Sequence, residues 1–101
     1  MIGTDNFIEL VEIYTKNVNS YPTLYGLRKI FVNKNLILSF SENIKLKKKM
    51  QRNEKLLPEL DRRQIYTKIH LQAYGTSSTY IDVVGGPEIL QDKLNREKKD
   101  A

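Results

Sequence analysis

From Gln64 to Val84 the residues alternate as an antiparallel strand pair does. Ile65, Thr67, Ile69, Leu71 and Ala73 share one parity, and Gln64, Tyr66, Lys68, His70, Gln72 and Tyr74 share the other. A two-residue period sets the first group on an apolar face and the second on a polar one. Gly75-Thr76-Ser77-Ser78 reads as a turn, and Thr79 to Val84 as the returning strand. Gly85-Gly86-Pro87 then releases the chain into a helix with proline in its first turn. A hairpin that runs into a helix commits the chain to a sheet with helical cover.

The helix is expected from Pro87 to about Lys98. Ile89, Leu90 and Leu94, with the stem of Lys93, form its buried stripe. Glu88 lies at the positive end of the helix dipole, and Lys98 and Lys99 lie near the negative end. Upstream, Phe7 to Thr15 reads as a first strand, because Phe7, Val11 and Ile13 occupy one parity and Ile8, Leu10 and Tyr14 the other. Partly apolar parities on both sides describe a strand with two covered faces. Lys16 to Gly26, with Asn17, Asn19, Ser20 and Pro22, is a loop. Leu27 to Val32 and Leu36 to Ser41 are two short strands around Asn33-Lys34-Asn35. The fold class is therefore α+β: a small, mostly antiparallel sheet of about five strands with one carboxyl-terminal helix.

Glu42 to Arg63 fits two readings. Ile44 and Leu46 extend the preceding strand, or Ser41 caps a helix that carries Leu46, Met50 and Leu57 on one stripe and ends before Pro58. The stripe is thin and Lys47-Lys48-Lys49 repel one another. The expectation is a mobile lysine-rich excursion between two strands, with a short helix near Arg52 to Leu57.

Charge concentrates in that excursion. The 101 residues carry a net charge of +5; Lys45 to Arg63 holds eight basic residues against Glu54, Glu59 and Asp61, so this segment carries the whole excess. A local field of this kind steers an acidic partner. At this length the chain forms a single domain, 1–101, with the excursion at about 45–63 as part of it. The absence of cysteine excludes a disulfide scaffold, a thiol nucleophile and thiolate metal ligands, and accords with a cytoplasmic protein. Asp5 and Glu9 interrupt the apolar start, which is therefore read neither as a signal peptide nor as a membrane span.

No catalytic site assembles from these residues. His70 is the single histidine, mid-strand between Lys68 and Gln72, with Asp82 of the returning strand or Glu88 as a candidate carboxylate. A metal site would need carboxylates for most of its ligands. Gly85-Gly86 lacks the further glycines and the lysine–threonine pair of a phosphate-binding loop, and serves a strand-to-helix corner. No metal and no cofactor are expected. The candidate contact residues are Lys45, Lys47, Lys48, Lys49, Arg52, Arg62 and Arg63, with Tyr66, Lys68, His70 and Tyr74 on the adjoining polar strand face.

Phe7 to Ile13, Lys29 to Asn33, Leu36 to Ser41, and Ile81 to Leu94 together give strand, strand ending in Val-Asn, short strand, then strand into helix. This order resembles the small flagellar accessory proteins of the FlbD type. The resemblance spans about half the chain and implies a compact α+β architecture and a non-enzymatic role. The loop at Lys16 to Gly26 and the excursion at Lys45 to Arg63 depart from it.

The leading expectation is a non-enzymatic binding or regulatory protein with an acidic macromolecular partner, a protein ahead of a nucleic acid, and without membrane contact. A nucleic-acid-binding protein using 45–63 is the alternative, and a small hydrolase around His70 a distant third. One helix covers only one face of a small sheet, so the open face or edge also makes a homodimer an expectation.

Overall fold

The computed structural model describes residues 6–16, 24–52, 63–73 and 77–99. Five strands appear in it: β1 (Phe7–Thr15), β2 (Tyr25–Asn33), β3 (Ile37–Glu42), β4 (Tyr66–Gln72) and β5 (Ser78–Val84). Helix α1 (Ile44–Arg52) joins β3 towards β4, and α2 (Pro87–Lys99) follows β5. All pairings are antiparallel and the sheet order is β2-β1-β5-β4-β3. The α+β class, the five-stranded antiparallel sheet and the carboxyl-terminal helix are thus as the sequence indicates.

Register shows that this sheet is rolled. Asn33, the end of β2, is level with Phe7 of β1. Ile13 is level with Asp82, Thr79 with Leu71, and Leu71 with Ile37, so β3 begins nine residues further along the sheet, level with position 16. In a flat sheet those two points would be ~30 Å apart along the strands and ~19 Å apart across them. Only a 3-10 turn, Lys34–Leu36, connects them, and four Cα–Cα steps reach ~14 Å at most. The sheet therefore coils into an incompletely closed barrel, with a stagger of the kind barrel closure demands. Its seam lies between β2 and β3.

The core agrees with this geometry. Ile8, Leu10, Val32, Ile69, Val83 and Leu90 are buried together, with Ile30, Ile37, Phe40, Leu71, Ile81 and Leu94 packed against them. Every strand and α2 contribute, so this is the barrel interior. Thr67 is also fully buried there, and its hydroxyl donates to the Gly85 carbonyl at 2.7 Å. A second cluster, Ile13, Leu46, Met50 and Tyr66, lies on the outer face, where α1 crosses the strands.

Local chemistry sets the element ends. Tyr25 and Gly26 join β2 instead of the preceding loop, because pairing with β1 continues to Thr15. A Cβ at Gly26 would stand 2.6 Å from Lys16 Cε and 2.9 Å from Tyr14 Cζ, so those side chains close over a residue that has none. An extra residue between Ile37 and Ser39 breaks the β3 register and turns Leu38 outward. Gly85 takes φ 110°, donates its N–H to the Ile65 carbonyl at 2.8 Å, and leads directly into α2. The double glycine thus makes a corner.

Candidate functional site: the basic helix and its aromatic border

Helix α1 departs from the sequence reading at its start: it begins at Ile44, and its cap is Asn43 and not Ser41; the described helix runs to Arg52. Residues 53–62 lie outside the described part, and with them most of the short helix expected near Arg52 to Leu57. The Asn43 side chain explains the start. Its Oδ1 accepts the Leu46 N–H at 3.1 Å, while its Nδ2 donates to Asp82 Oδ1 at 2.7 Å. Its own N–H donates to the Tyr66 carbonyl at 2.8 Å. One residue therefore stops β3, caps α1 and fastens the helix to β5.

Leu46 and Met50, one turn apart, lie against Ile13 and Tyr66, with Tyr25, Leu27 and Val84 around them. Burying two such side chains contributes about 1.5–3 kcal/mol each. That outweighs the few tenths of a kcal/mol that each like-charge pair one turn apart costs. Successive residues also project about 100° apart around a helix, so Lys47, Lys48 and Lys49 diverge instead of stacking.

Lys45, Lys48 and Arg52 form an exposed stripe at spacings of three and four. Lys47 is half-buried. Lys49 turns to the flank, where its Nζ donates to the Tyr25 hydroxyl at 2.7 Å and lies 5.2 Å from the ring centre. Among the described residues no carboxylate pairs with Lys45, Lys47, Lys48 or Arg52. The sheet cations differ: Arg28 Nε meets Glu12 at 2.7 Å and lies 4.5 Å above the Tyr14 ring, and Lys29 is 3.9 Å from Glu9.

Beside α1, the outer faces of β4 and β5 carry a cationic and aromatic strip. His70 and Tyr80 are cross-strand partners whose rings stack with centroids 4.5 Å apart and planes 14° apart. Lys68 Nζ lies 5.1 Å from the Tyr80 ring centre, and Tyr80 is 59% exposed. Ser39 and Ser41, opposite His70 and Lys68 on β3, are exposed next to them. His70 is half-buried, and its Nε2 has no hydrogen-bond partner among the described residues. Asp82, a carboxylate conjectured for it, is level with Lys68 and bonded to Asn43.

The structure thus gathers Lys45, Lys47, Lys48, Lys49 and Arg52 on one helix, with Lys68 and His70 on the strands beside it. Arg63 stands apart, exposed in the turn before β4. Arg62 and Tyr74 lie outside the described residues. Tyr66 corrects the sequence reading. It is 1% exposed, because α1 crosses directly over it, and burial raises its hydroxyl pKa above 10.0. Its ring is core and offers no surface for stacking.

Tyr80 and Asn43 were missed. Tyr80 shares its parity with Asp82 and Val84, a signal the sequence does contain, but pairing it with His70 needs the hairpin register. Among the described residues no group of three His, Cys, Asp or Glu side chains converges as metal ligands do, and no helix is long and apolar enough to cross a membrane. Comparison with protein-family models, curated proteins and solved structures finds no match to this chain.

Proposed function

We propose that the protein is a non-enzymatic binding module of regulatory type, and that α1 docks it onto an acidic surface of another protein. The observation that carries this reading is the contrast in charge pairing. Arg28 and Lys29 of the sheet have carboxylate neighbours, while Lys45, Lys48 and Arg52 have none among the described residues and present charge outward from a helix fastened through Asn43 and Lys49. A cationic stripe held on a rigid element is suited to recognition. Exposed Ile44 at the helix start gives that stripe an apolar neighbour, which suits a protein surface better than a phosphate backbone.

A second reading, single-stranded nucleic acid, is favoured by the Lys68, His70 and Tyr80 strip beside the helix. One experiment separates the two. Labelled poly-glutamate peptide and labelled single- and double-stranded oligonucleotides are titrated with wild type and with the combined Lys45→Ala, Lys48→Ala and Arg52→Ala variant. The protein-docking reading expects peptide binding that the variant loses, and only weak oligonucleotide binding. Micromolar or tighter oligonucleotide binding at physiological salt, with a salt slope that falls by up to about 3 in the variant, gives the site to nucleic acid. Binding of neither probe removes the helix from the account.

A further inference from the structure

We infer that β2 is the edge through which two copies of this chain pair, antiparallel about a twofold axis. The contact centres on Lys29 to Phe31, beyond Tyr25 and Leu27 against which the basic helix packs, and its test does not depend on the partner of that helix.

The ladder between β1 and β2 fixes which backbone groups are free. The Lys16 N–H donates to the Leu24 carbonyl at 2.8 Å, in the register that continues through Thr15 and Tyr25 to Phe7 and Asn33. Hydrogen-bonded pairs alternate along an antiparallel ladder. The even-numbered residues of β2 are therefore bonded to β1, and Tyr25, Leu27, Lys29 and Phe31 aim their N–H and C=O groups away from it. The other strand gives the same phase, since the Glu9 carbonyl points off the far side of β1 and accepts Lys93 Nζ at 2.8 Å. Among the described residues β2 pairs with no strand but β1. A nine-residue strand with an open edge is a template for a further strand.

Charge identifies the occupant. Glu9 and Glu12 of β1 balance Arg28 and Lys29 of β2, so this pair of strands is neutral and its charges are partnered in place. Like copies meet here without repulsion, whereas a twofold contact that includes α1 brings two cationic helices together. Apolar surface accompanies the edge: Phe31 is 63% exposed on β2, Phe7 is exposed on β1, and Leu36 and Leu38 are exposed at the connection to β3.

The same chemistry selects the register. Centring the axis on Lys29 would oppose the two lysines. Moving it one residue, to Ile30, places each Phe31 opposite the partner's Lys29, a cation over an aromatic ring, with Glu9 beside that Phe31 on β1. The two Ile30 side chains then meet on the other face.

The test is sedimentation of the full chain over a wide concentration range, with far-ultraviolet circular dichroism to check the fold. Wild type is expected at twice its 11.8 kDa mass at high concentration. Lys29→Pro removes an outward N–H that β1 does not use, so a folded monomer is expected. Phe31→Lys, which keeps the backbone intact, opposes two lysines across the axis and is also expected to give a monomer. Adding Lys29→Glu to Phe31→Lys restores opposite charges across the axis and is expected to return the dimer. Wild type that stays at 11.8 kDa throughout overturns the proposal. So does a dimer that survives Phe31→Lys, or a larger ring-like species.

Discussion

Asn43 is the residue on which the placement of the basic helix depends, and its replacement gives the most direct test of the site. Asn43→Ala removes the cap acceptor for the Leu46 N–H and the amide that meets Asp82. Loss of an N-cap costs about 1 kcal/mol. The hydrogen bond to a carboxylate contributes about 1.5–3 kcal/mol when well formed, and part of that is returned because Asp82 is only half-buried and water replaces the amide. The expected loss is about 2 kcal/mol, or about 10 °C in Tm for a domain of this size. Asn43→Asp separates the two parts. It keeps a good cap at the positive end of the helix but sets a second carboxylate against Asp82. One of the pair then holds a proton into a higher pH range than an ordinary carboxylate. With the folded-state pKa raised, the variant matches wild type best in acid, and its deficit opens as pH rises through that raised value. Urea unfolding followed by circular dichroism between mildly acidic and neutral pH reads both variants. An Asn43→Ala protein within about 0.5 kcal/mol of wild type, the scatter of an ordinary surface substitution, would show that the bonds to Leu46 and Asp82 do not hold α1 in place. An Asn43→Asp deficit independent of pH would sink the electrostatic half of the argument.

Three further substitutions probe the frame around the site. Thr67→Val keeps the shape of a fully buried side chain but leaves the Gly85 carbonyl without its hydroxyl donor, so urea unfolding should register a loss of about 1–3 kcal/mol, and a stable variant would mean that carbonyl finds another partner. Gly85→Ala meets only ordinary contact, with Ile89 Cδ1 3.5 Å from the new Cβ, so any thermal destabilisation beyond about 1 kcal/mol comes from backbone strain at φ 110°. Tyr66 has a raised pKa through burial, and its contribution is full below 10.0 and is lost as pH climbs through its higher folded-state value. Alkaline unfolding of Tyr66→Phe should accordingly begin at higher pH than that of wild type.

The strands were legible because their alternation is local. β1 has the bounds its two apolar parities suggest, and β5 and α2 follow from the Gly85-Gly86-Pro87 corner. The roll of the sheet was not legible, since it resides in the nine-residue stagger between β2 and β3, which no periodicity encodes. Helix α1 was half legible. Leu46 and Met50 give its stripe, but the start depends on Asn43 finding Asp82, a residue 39 positions away. The same non-local fact turned Tyr66 from a polar-face residue into core, because alternation assigns a side chain to a face and cannot tell whether a helix will cover it. His70 lies beside the expected strand, but its neighbour there could not be read from the spacing. Its partner across the ladder is Tyr80, and two residues of register separate that pairing from one with Asp82.

The two contact surfaces proposed for this chain differ in the sign of their response to salt, and that difference follows from where charge is paired. On α1 the exposed cations Lys45, Lys48 and Arg52 have no carboxylate partner among the described residues, so attraction to an acidic partner acts across water and fades as the screening length falls below ~10 Å, its value near 0.1 M salt. On β2 the cations already have neighbours in Glu9 and Glu12, and the contact consists of backbone hydrogen bonds and apolar cover from Phe31. Two whole molecules, each carrying +5, nevertheless repel at long range. Added salt screens that repulsion and should leave self-association unchanged or strengthened, while it weakens capture of an acidic peptide. Sedimentation and peptide titration of one preparation at low and high ionic strength measure both responses. If the dimer dissociates in step with the loss of peptide binding, a single cationic surface serves both contacts, and the assignment of self-pairing to β2 is wrong.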